Sequence, residues 1–159
     1  MSRTKSQDVI RVLNDVLTGE LTAINQYFLH AKMFQNWGYE RLYTKVYRES
    51  IDEMKHADSL IERVLYLDGL PNVQRLAKVN IGENVEECLR LDLALEYDAL
   101  TRLHDGIDVC NTERDNGTRL LLESILASEE EHVDWLEAQV ELIVQVGLQG
   151  YLAEQIRPE

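Results

Sequence analysis

Cysteine is nearly absent. Only Cys88 and Cys110 occur in 159 residues, so a four-thiolate zinc or iron–sulfur site within one chain is excluded. If both lie on one helix they stand about 33 Å apart at 1.5 Å per residue, too far for a disulfide. Proline, with two residues, and glycine, with eight, are also sparse, and β-branched runs are few, which favours helix throughout. Basic side chains are outnumbered: 16 Lys and Arg against 29 Asp and Glu leave a formal charge of −13. Such a surplus repels phosphate backbones and anionic lipid, so neither nucleic acid nor a membrane surface is an expected partner. No apolar run reaches the length of a membrane span, and the opening residues 1–7 lack an apolar leader segment, which predicts a cytoplasmic location. What remains is a globular balance, 45% hydrophobic and 28% charged, in the length of a single domain, 1–159.

The punctuation divides the chain into four long periodic segments and a short fifth. The first runs from Ser6, a candidate N-cap, to about Gln35. Trp37-Gly38 breaks it from a second that reaches about Leu67 and ends at Asp68-Gly69-Leu70-Pro71. From there to Gly82 no period is evident, which suits a long connection. Asn84 followed by Glu87 resembles a capping box for a third helix ending near Asn111. Asp115-Asn116-Gly117 is the next turn, and a fourth helix runs to about Val146, with Gly147 as its stop before a short segment from Leu148 to Gln155. The predicted fold is all-α: an antiparallel four-helix bundle with a long crossover between helices two and three and a short fifth helix at the C-terminus.

Each long helix carries one glutamate inside its apolar stripe. Residues at i±4, i±7 and i±11 share a helical face. Around Glu20 these are Val9, Leu13, Val16, Ile24, Tyr27 and Ala31. Around Glu53 they include Leu42, Val46, Ala57, Leu60 and Val64, with Glu49 also near this face. Glu96 is flanked by Val85, Leu89, Leu100, Leu103, Ile107 and Cys110, Asp92 being the polar exception. Glu129 is flanked by Leu122, Ile125, Val133, Leu136, Val140 and Ile143. Four unpartnered carboxylates in one small core would cost several kcal/mol each, about enough together to prevent folding, so cations must sit among them. The stripes hold no Lys or Arg. They do hold Glu53-x-x-His56 and Glu129-x-x-His132, which place an oxygen and a nitrogen donor one turn apart. Four carboxylates balance two divalent ions, and two neutral imidazoles complete the shell. Oxygen and imidazole without thiolate suit iron or manganese and tolerate zinc. One Glu-x-x-His could arise by chance in an acidic helix, but two copies on alternate helices form the pattern of di-metal carboxylate bundles, an arrangement known for such proteins in general.

The sequence resembles the bacterioferritins, the haem-containing ferritins of bacteria. The resemblance spans the chain and rests on Glu20-Leu-Thr-Ala-Ile-Asn-Gln-Tyr-Phe-Leu-His30, Glu49-Ser-Ile-Asp-Glu-Met-Lys-His-Ala-Asp58, Leu67-Asp-Gly-Leu-Pro-Asn72, Ile81-Gly-Glu83 and Glu130-Glu-His-Val-Asp-Trp-Leu-Glu137. It implies a ferritin-like fold and a di-iron ferroxidase centre that oxidises Fe2+ with O2 or peroxide. In the family's pattern Glu20 and His56 serve one iron, Glu96 and His132 the other, and Glu53 and Glu129 bridge them. It also implies a 24-subunit shell built from two-fold dimers that stores ferric mineral. Such a shell could consist of this chain alone or include a second bacterioferritin subunit type, with a small ferredoxin as partner in iron release. Tyr27, by the same resemblance, lies near the centre; by its surroundings alone it is an aromatic core residue.

Helix two bears a second apolar row, Tyr47, Ile51, Met54, Ile61 and Leu65, about 100° from the Glu53 stripe, and a neighbouring subunit is the simplest partner for it. Spacing alone makes Met54 an adaptable packing residue. The resemblance makes it a thioether ligand of a haem b shared between two subunits, with Leu21, Ile24, Asn25, Phe28, Met33 and Tyr47 lining the pocket. Haem held by two protein ligands has no open position and carries electrons. The sequence departs from the family at Arg48, where many relatives have a histidine that forms an inner-surface iron site with the counterpart of Asp52; the local alternative is an Arg48–Asp52 ion pair one turn apart. Leu60 occupies a position that is tyrosine in some relatives. Competing readings are a di-iron bundle oxygenase, which needs a substrate pocket, and a haem electron carrier, which leaves the four stripe glutamates without purpose. A rubrerythrin-type peroxidase would carry a separate four-cysteine iron domain, which two cysteines exclude.

Overall fold

The computed structural model describes residues 6–159. Residues 1–5, the greater part of the segment without an apolar leader, lie outside the described residues. The described chain forms α1 (Gln7–Asn36), α2 (Glu40–Tyr66), α3 (Val85–Glu113), α4 (Asn116–Val146) and α5 (Leu148–Gln155), with no strand among the described residues. None of these helices is long and apolar enough to cross a membrane.

The helix boundaries follow local chemistry. The Ser6 hydroxyl accepts the Val9 N–H at 3.2 Å, and the Asn84 side chain accepts that of Glu87 at 2.9 Å. The capping box at Asn84 is only half made, because the Glu87 carboxylate takes the Glu83 N–H at 3.3 Å. Helix α3 passes the expected Asn111 by two residues and stops where Arg114 turns left-handed, φ 58°. The N–H groups of Arg114 and Asp115 then close back on the carbonyls of Asn111 and Cys110. Asp115 caps α4 through the Thr118 N–H at 3.0 Å. Gly147, at φ 81°, ends α4.

α1 packs on α2, α3 on α4, and α1 also on α3. Their apolar faces form two separate clusters. One, near the start of α1, gathers Val9, Leu13, Val16, Leu60, Leu103 and Leu122; the other, toward its end, gathers Tyr27, Phe34, Leu42, Leu89 and Leu136. Cys110 belongs to the first and Cys88 to the second, both as free thiols. At Gly106 an added Cβ would come within 2.6 Å of Val12 Cγ1 and 3.1 Å of Leu122 Cδ1, so this glycine sets the approach of α3 to its neighbours. The stripe residues Ile24, Leu100, Ile107 and Val140 are only partly buried, lying at the edges of their stripes.

The crossover is tied to α1 by a row of uncharged polar residues spaced four apart. Asn14 donates to the Leu70 carbonyl at 3.2 Å and accepts the Asn72 N–H at 2.8 Å. Thr18 accepts from Arg75 at 3.3 Å, and Thr22 accepts the Ala77 N–H at 2.9 Å. Gln26 accepts the Asn80 N–H at 3.1 Å, and His30 Nε2 accepts the Gly82 N–H at 3.0 Å. A segment without ladder or helix thereby has its amides satisfied turn by turn along α1. Gly82 is required at the end of this path, since a Cβ there would meet the Cys88 backbone nitrogen at 2.6 Å.

Candidate metal centre

The four stripe glutamates meet in the layer between the two apolar clusters. Glu20, Glu53, Glu96 and Glu129 are each no more than 3% exposed, and His132 is 4% exposed, whereas His56 retains an edge toward solvent. His56 Nδ1 lies 3.1 Å from Glu129 Oε1, 3.4 Å from Glu20 Oε2 and 3.6 Å from Glu53 Oε2. His132 Nδ1 lies 3.0 Å from Glu53 Oε1, 3.4 Å from Glu96 Oε1 and 3.8 Å from Glu129 Oε2. Two donor groups result, Glu20, Glu53, His56, Glu129 and Glu53, Glu96, Glu129, His132, with the donor atoms of each within 4.8 Å of one another. Glu53 and Glu129 belong to both. Neither helix pair alone could build this: one carboxylate comes from each of four helices, and the two imidazoles come from α2 and α4, one turn after the shared glutamates.

The electrostatics of this layer are unbalanced. Glu96 Oε2 has no hydrogen-bond partner among the described residues, and Glu53 Oε1 and Glu129 Oε1 meet only an imidazole nitrogen, as ion-pair contacts rather than aligned hydrogen bonds. Burial foremost, then the neighbouring Glu129, pushes Glu96 up to about 8 despite the opposing pull of His132. Glu129 is also raised, by burial and then by Glu53, against bonds that lower it. Burial alone would depress the imidazoles, but the carboxylates outweigh it: Glu129 and Glu53 bring His56 up to about 9, and Glu53 and Glu96 bring His132 up to about 12. The layer therefore holds protons among its donors wherever no stronger cation does. Tyr27 donates its hydroxyl to Glu96, and burial together with Glu96, Asp92 and Glu129 holds that phenol well above its ordinary range, so it remains a donor.

Two further carboxylates adjoin the layer. Glu49, one turn before Glu53, is 2% exposed and has an oxygen without a hydrogen-bond partner, although Lys45 stands 3.8 Å away. Burial pushes it up to about 8 against the pull of His132 and Lys45. Its place near the Glu53 face was legible in the spacing. Asp52 is 3.3 Å from His132 Nε2 and partly open to solvent, a contact across helices that spacing cannot reveal. Arg48 does not make the expected pair with Asp52. Its guanidinium reaches Glu159 of the C-terminal tail at 3.8 Å, because Asp52 is turned toward His132.

Met54 is 53% exposed on α2; Leu65 on the same helix and Phe28 on α1 are exposed as well, and the Phe28 ring stands 5.8 Å from that of Tyr47. Ile61, expected in the same row, instead packs partly against the core.

The comparisons with known proteins agree with this architecture. A family model described as a ferritin-like domain matches residues 10–146. Proteins named bacterioferritin are 51% identical in Mycobacterium bovis and 49% identical in Mycobacterium leprae, each over 92% of both chains. A bacterioferritin of Streptomyces coelicolor is 46% identical over 96% of this chain and 93% of its own. With an all-helical bundle, two Glu-x-x-His pairs facing one another and this extent of identity, the chain belongs to the bacterioferritin family of ferritin-like proteins.

Proposed function

We propose that the protein oxidises Fe2+ at the four-glutamate, two-histidine layer and stores the product as Fe3+ mineral within a shell of 24 copies. The observation that carries this reading is the pair of donor groups sharing Glu53 and Glu129. Fe2+ is the substrate. Glu20 and His56 would hold one ion, Glu96 and His132 the other, and Glu53 and Glu129 both. The free Oε2 of Glu96, and the oxygens of Glu53 and Glu129 that meet only an imidazole, fit this donor role, since a buried acceptor without an aligned donor is costly until a cation meets it. Two divalent ions match four carboxylates in charge, and each ion gives up one electron. O2 or peroxide takes the two electrons as a pair, so no one-electron oxygen radical need leave the site. Tyr27 donates to Glu96 Oε1 and so orients this carboxylate with Oε2 left free, and the acidic surface raises the local concentration of cations.

Met54 supports the second part of the reading. A soft thioether exposed in an apolar patch with Phe28, Tyr47 and Leu65 fits one half of a site for a flat hydrophobic ring, and a second copy across a two-fold axis would supply the other half. Haem b held there would supply electron transfer, serving release of iron as Fe2+ with a small ferredoxin as donor. Met54→Leu, nearly equal in volume, is expected to abolish haem while leaving assembly and Fe2+ oxidation unchanged; a retained low-spin haem spectrum would place the ligand elsewhere. Particle mass tests the storage reading: 24 copies of the 18.4 kDa chain come to about 440 kDa. A particle of that mass that accumulates iron supports storage by this chain alone, and one reached only on co-expression points to a second subunit type. A monomer or dimer that turns over an organic substrate would replace storage with oxygenase chemistry.

A further inference from the structure

Outside the metal layer, the chain's most unusual charge arrangement is a cleft of about 400 Å3 between α1, α3 and the crossover, lined by Asp15, Thr18, Arg75, Leu76, Ala77 and Arg102. In a chain of charge −13 it brings together two guanidinium groups and one carboxylate. Arg75 is more than half exposed and is oriented by α1: Nη2 donates to Asp15 at 2.7 Å and Nε to Thr18 at 3.3 Å, which leaves its Nη1 edge without a partner among the described residues. Arg102 is partly buried, yet no acceptor or carboxylate partners it among the described residues. Its guanidinium lies directly over Gly19, in space that a Cβ would fill. Glycine in the interior of a helix costs about 1 kcal/mol relative to alanine. Here that cost makes room for a cation with unused donors in a cleft that a second cation also lines.

We propose that this cleft binds a small oxyanion of the inorganic phosphate type, held by Arg102 and the open edge of Arg75. Planar guanidinium donors match tetrahedral oxyanions in geometry and charge, and the hydrogen bonds are charge-assisted. Asp15 and Thr18 do not bind the anion; they orient Arg75. The site is built from α1, α3 and the crossover, and involves none of the metal-layer residues, so anion binding is independent of iron oxidation.

Calorimetric titration of inorganic phosphate into the assembled, iron-free protein at constant ionic strength tests the proposal. The expected result is saturable binding of one phosphate per chain. Arg102→Gln and Gly19→Ala should each weaken it about ten-fold, the first by removing the charge and the second by displacing the guanidinium. Gly19→Ala should melt no lower than the wild type, because alanine is the better helix residue and the displaced side chain is flexible, so lost binding there cannot come from lost folding. Arg90→Gln, which removes an exposed arginine paired with Glu86 elsewhere on α3, should bind phosphate as the wild type does. Absence of saturable binding in the wild type, unchanged affinity in Arg102→Gln, or an equal loss in Arg90→Gln would overturn the assignment.

Discussion

Two clusters of carboxylate and imidazole lie inside this bundle, and they differ in how their polar atoms are satisfied. In the first, Asp92 accepts from His30 Nδ1 at 2.8 Å and from Gln26 at 2.9 Å, while His30 Nε2 and Gln26 Oε1 take backbone N–H groups of the crossover. The bond from Gly82 fixes the ring tautomer, with the proton on Nδ1. One carboxylate meets one imidazole and one amide, and all lie at or near zero exposure. In the second, four glutamates and the adjoining Glu49 face two imidazoles, and carboxylate oxygens are left over. A closed network stabilises the fold, whereas a surplus of acceptors around a small space is what a cation requires. The presence of buried charge does not distinguish structure from function; the count of unmet acceptors does.

Removing a member from each cluster should therefore have opposite consequences. Glu129→Ala and His132→Ala are each expected to slow the fast phase of Fe2+ oxidation by more than about 100-fold, because an ion loses a shared carboxylate or its only nitrogen, a larger loss than that from an outer-shell partner. Stopped-flow absorbance with two Fe2+ per chain reads this directly, and an unchanged fast phase in both variants would remove the layer from the reaction. His30→Leu should leave that phase within about two-fold in the folded protein but lower its stability by about 3 kcal/mol, since Asp92 keeps its burial and loses its imidazole. Denaturant unfolding checks the second half of the contrast.

Acidity sharpens the comparison. Glu49 and Glu96 are raised from 4.5 to about 8, and His56 from 6.5 to about 9. Each binds protons more tightly folded than unfolded, so their contribution to stability is full below the unfolded values and is lost as pH rises through the folded ones. From these three groups the iron-free protein should thus lose stability between about pH 4.5 and 9. Zn2+ or Co2+ replaces the protons, so the rise in melting temperature that these ions cause should grow across the same interval. A metal-induced shift that is flat with pH would mean that the ions bind outside the layer. The smallest expected effect concerns Arg48, an exposed cation on the α2 turn before Asp52. Arg48→His would replace a group that cannot donate a lone pair, leaving the first oxidation unchanged and quickening the later mineral-growth phase about two-fold, as suits one exposed charge. Equal multi-turnover loading rates would show that this residue does not limit mineral growth.

The helices and the clustering of four glutamates and two histidines were legible in the sequence because each depends on spacing within one helix, and the crossover was legible as the stretch where that spacing lapses. A glutamate flanked by apolar residues at four, seven and eleven positions announces its own burial, as Glu20 and Glu129 do. The partner of Asp92 was not legible, because the distance from α3 to His30 on α1 is set by packing and by the route of the crossover. A signal was nonetheless present: Asn14, Thr18, Thr22, Gln26 and His30 repeat at four residues without a charge among them, a pattern unlike both an apolar stripe and a solvated face. The Asp52–His132 contact had no such signal, and it took Arg48 away from its expected local pair.

The row of polar residues on α1 also turns the crossover from a spacer into a measured length. Connections between helices ordinarily tolerate an added or missing residue, because loop closure changes little with length. Here Asn72, Ala77, Asn80 and Gly82 must each arrive opposite a particular turn of α1. One residue inserted between Asn72 and Ala77 would throw every later amide out of step and carry Gly82 away from its close fit against Cys88 on α3. Indel tolerance in this chain should accordingly be lowest in a stretch with no secondary structure at all.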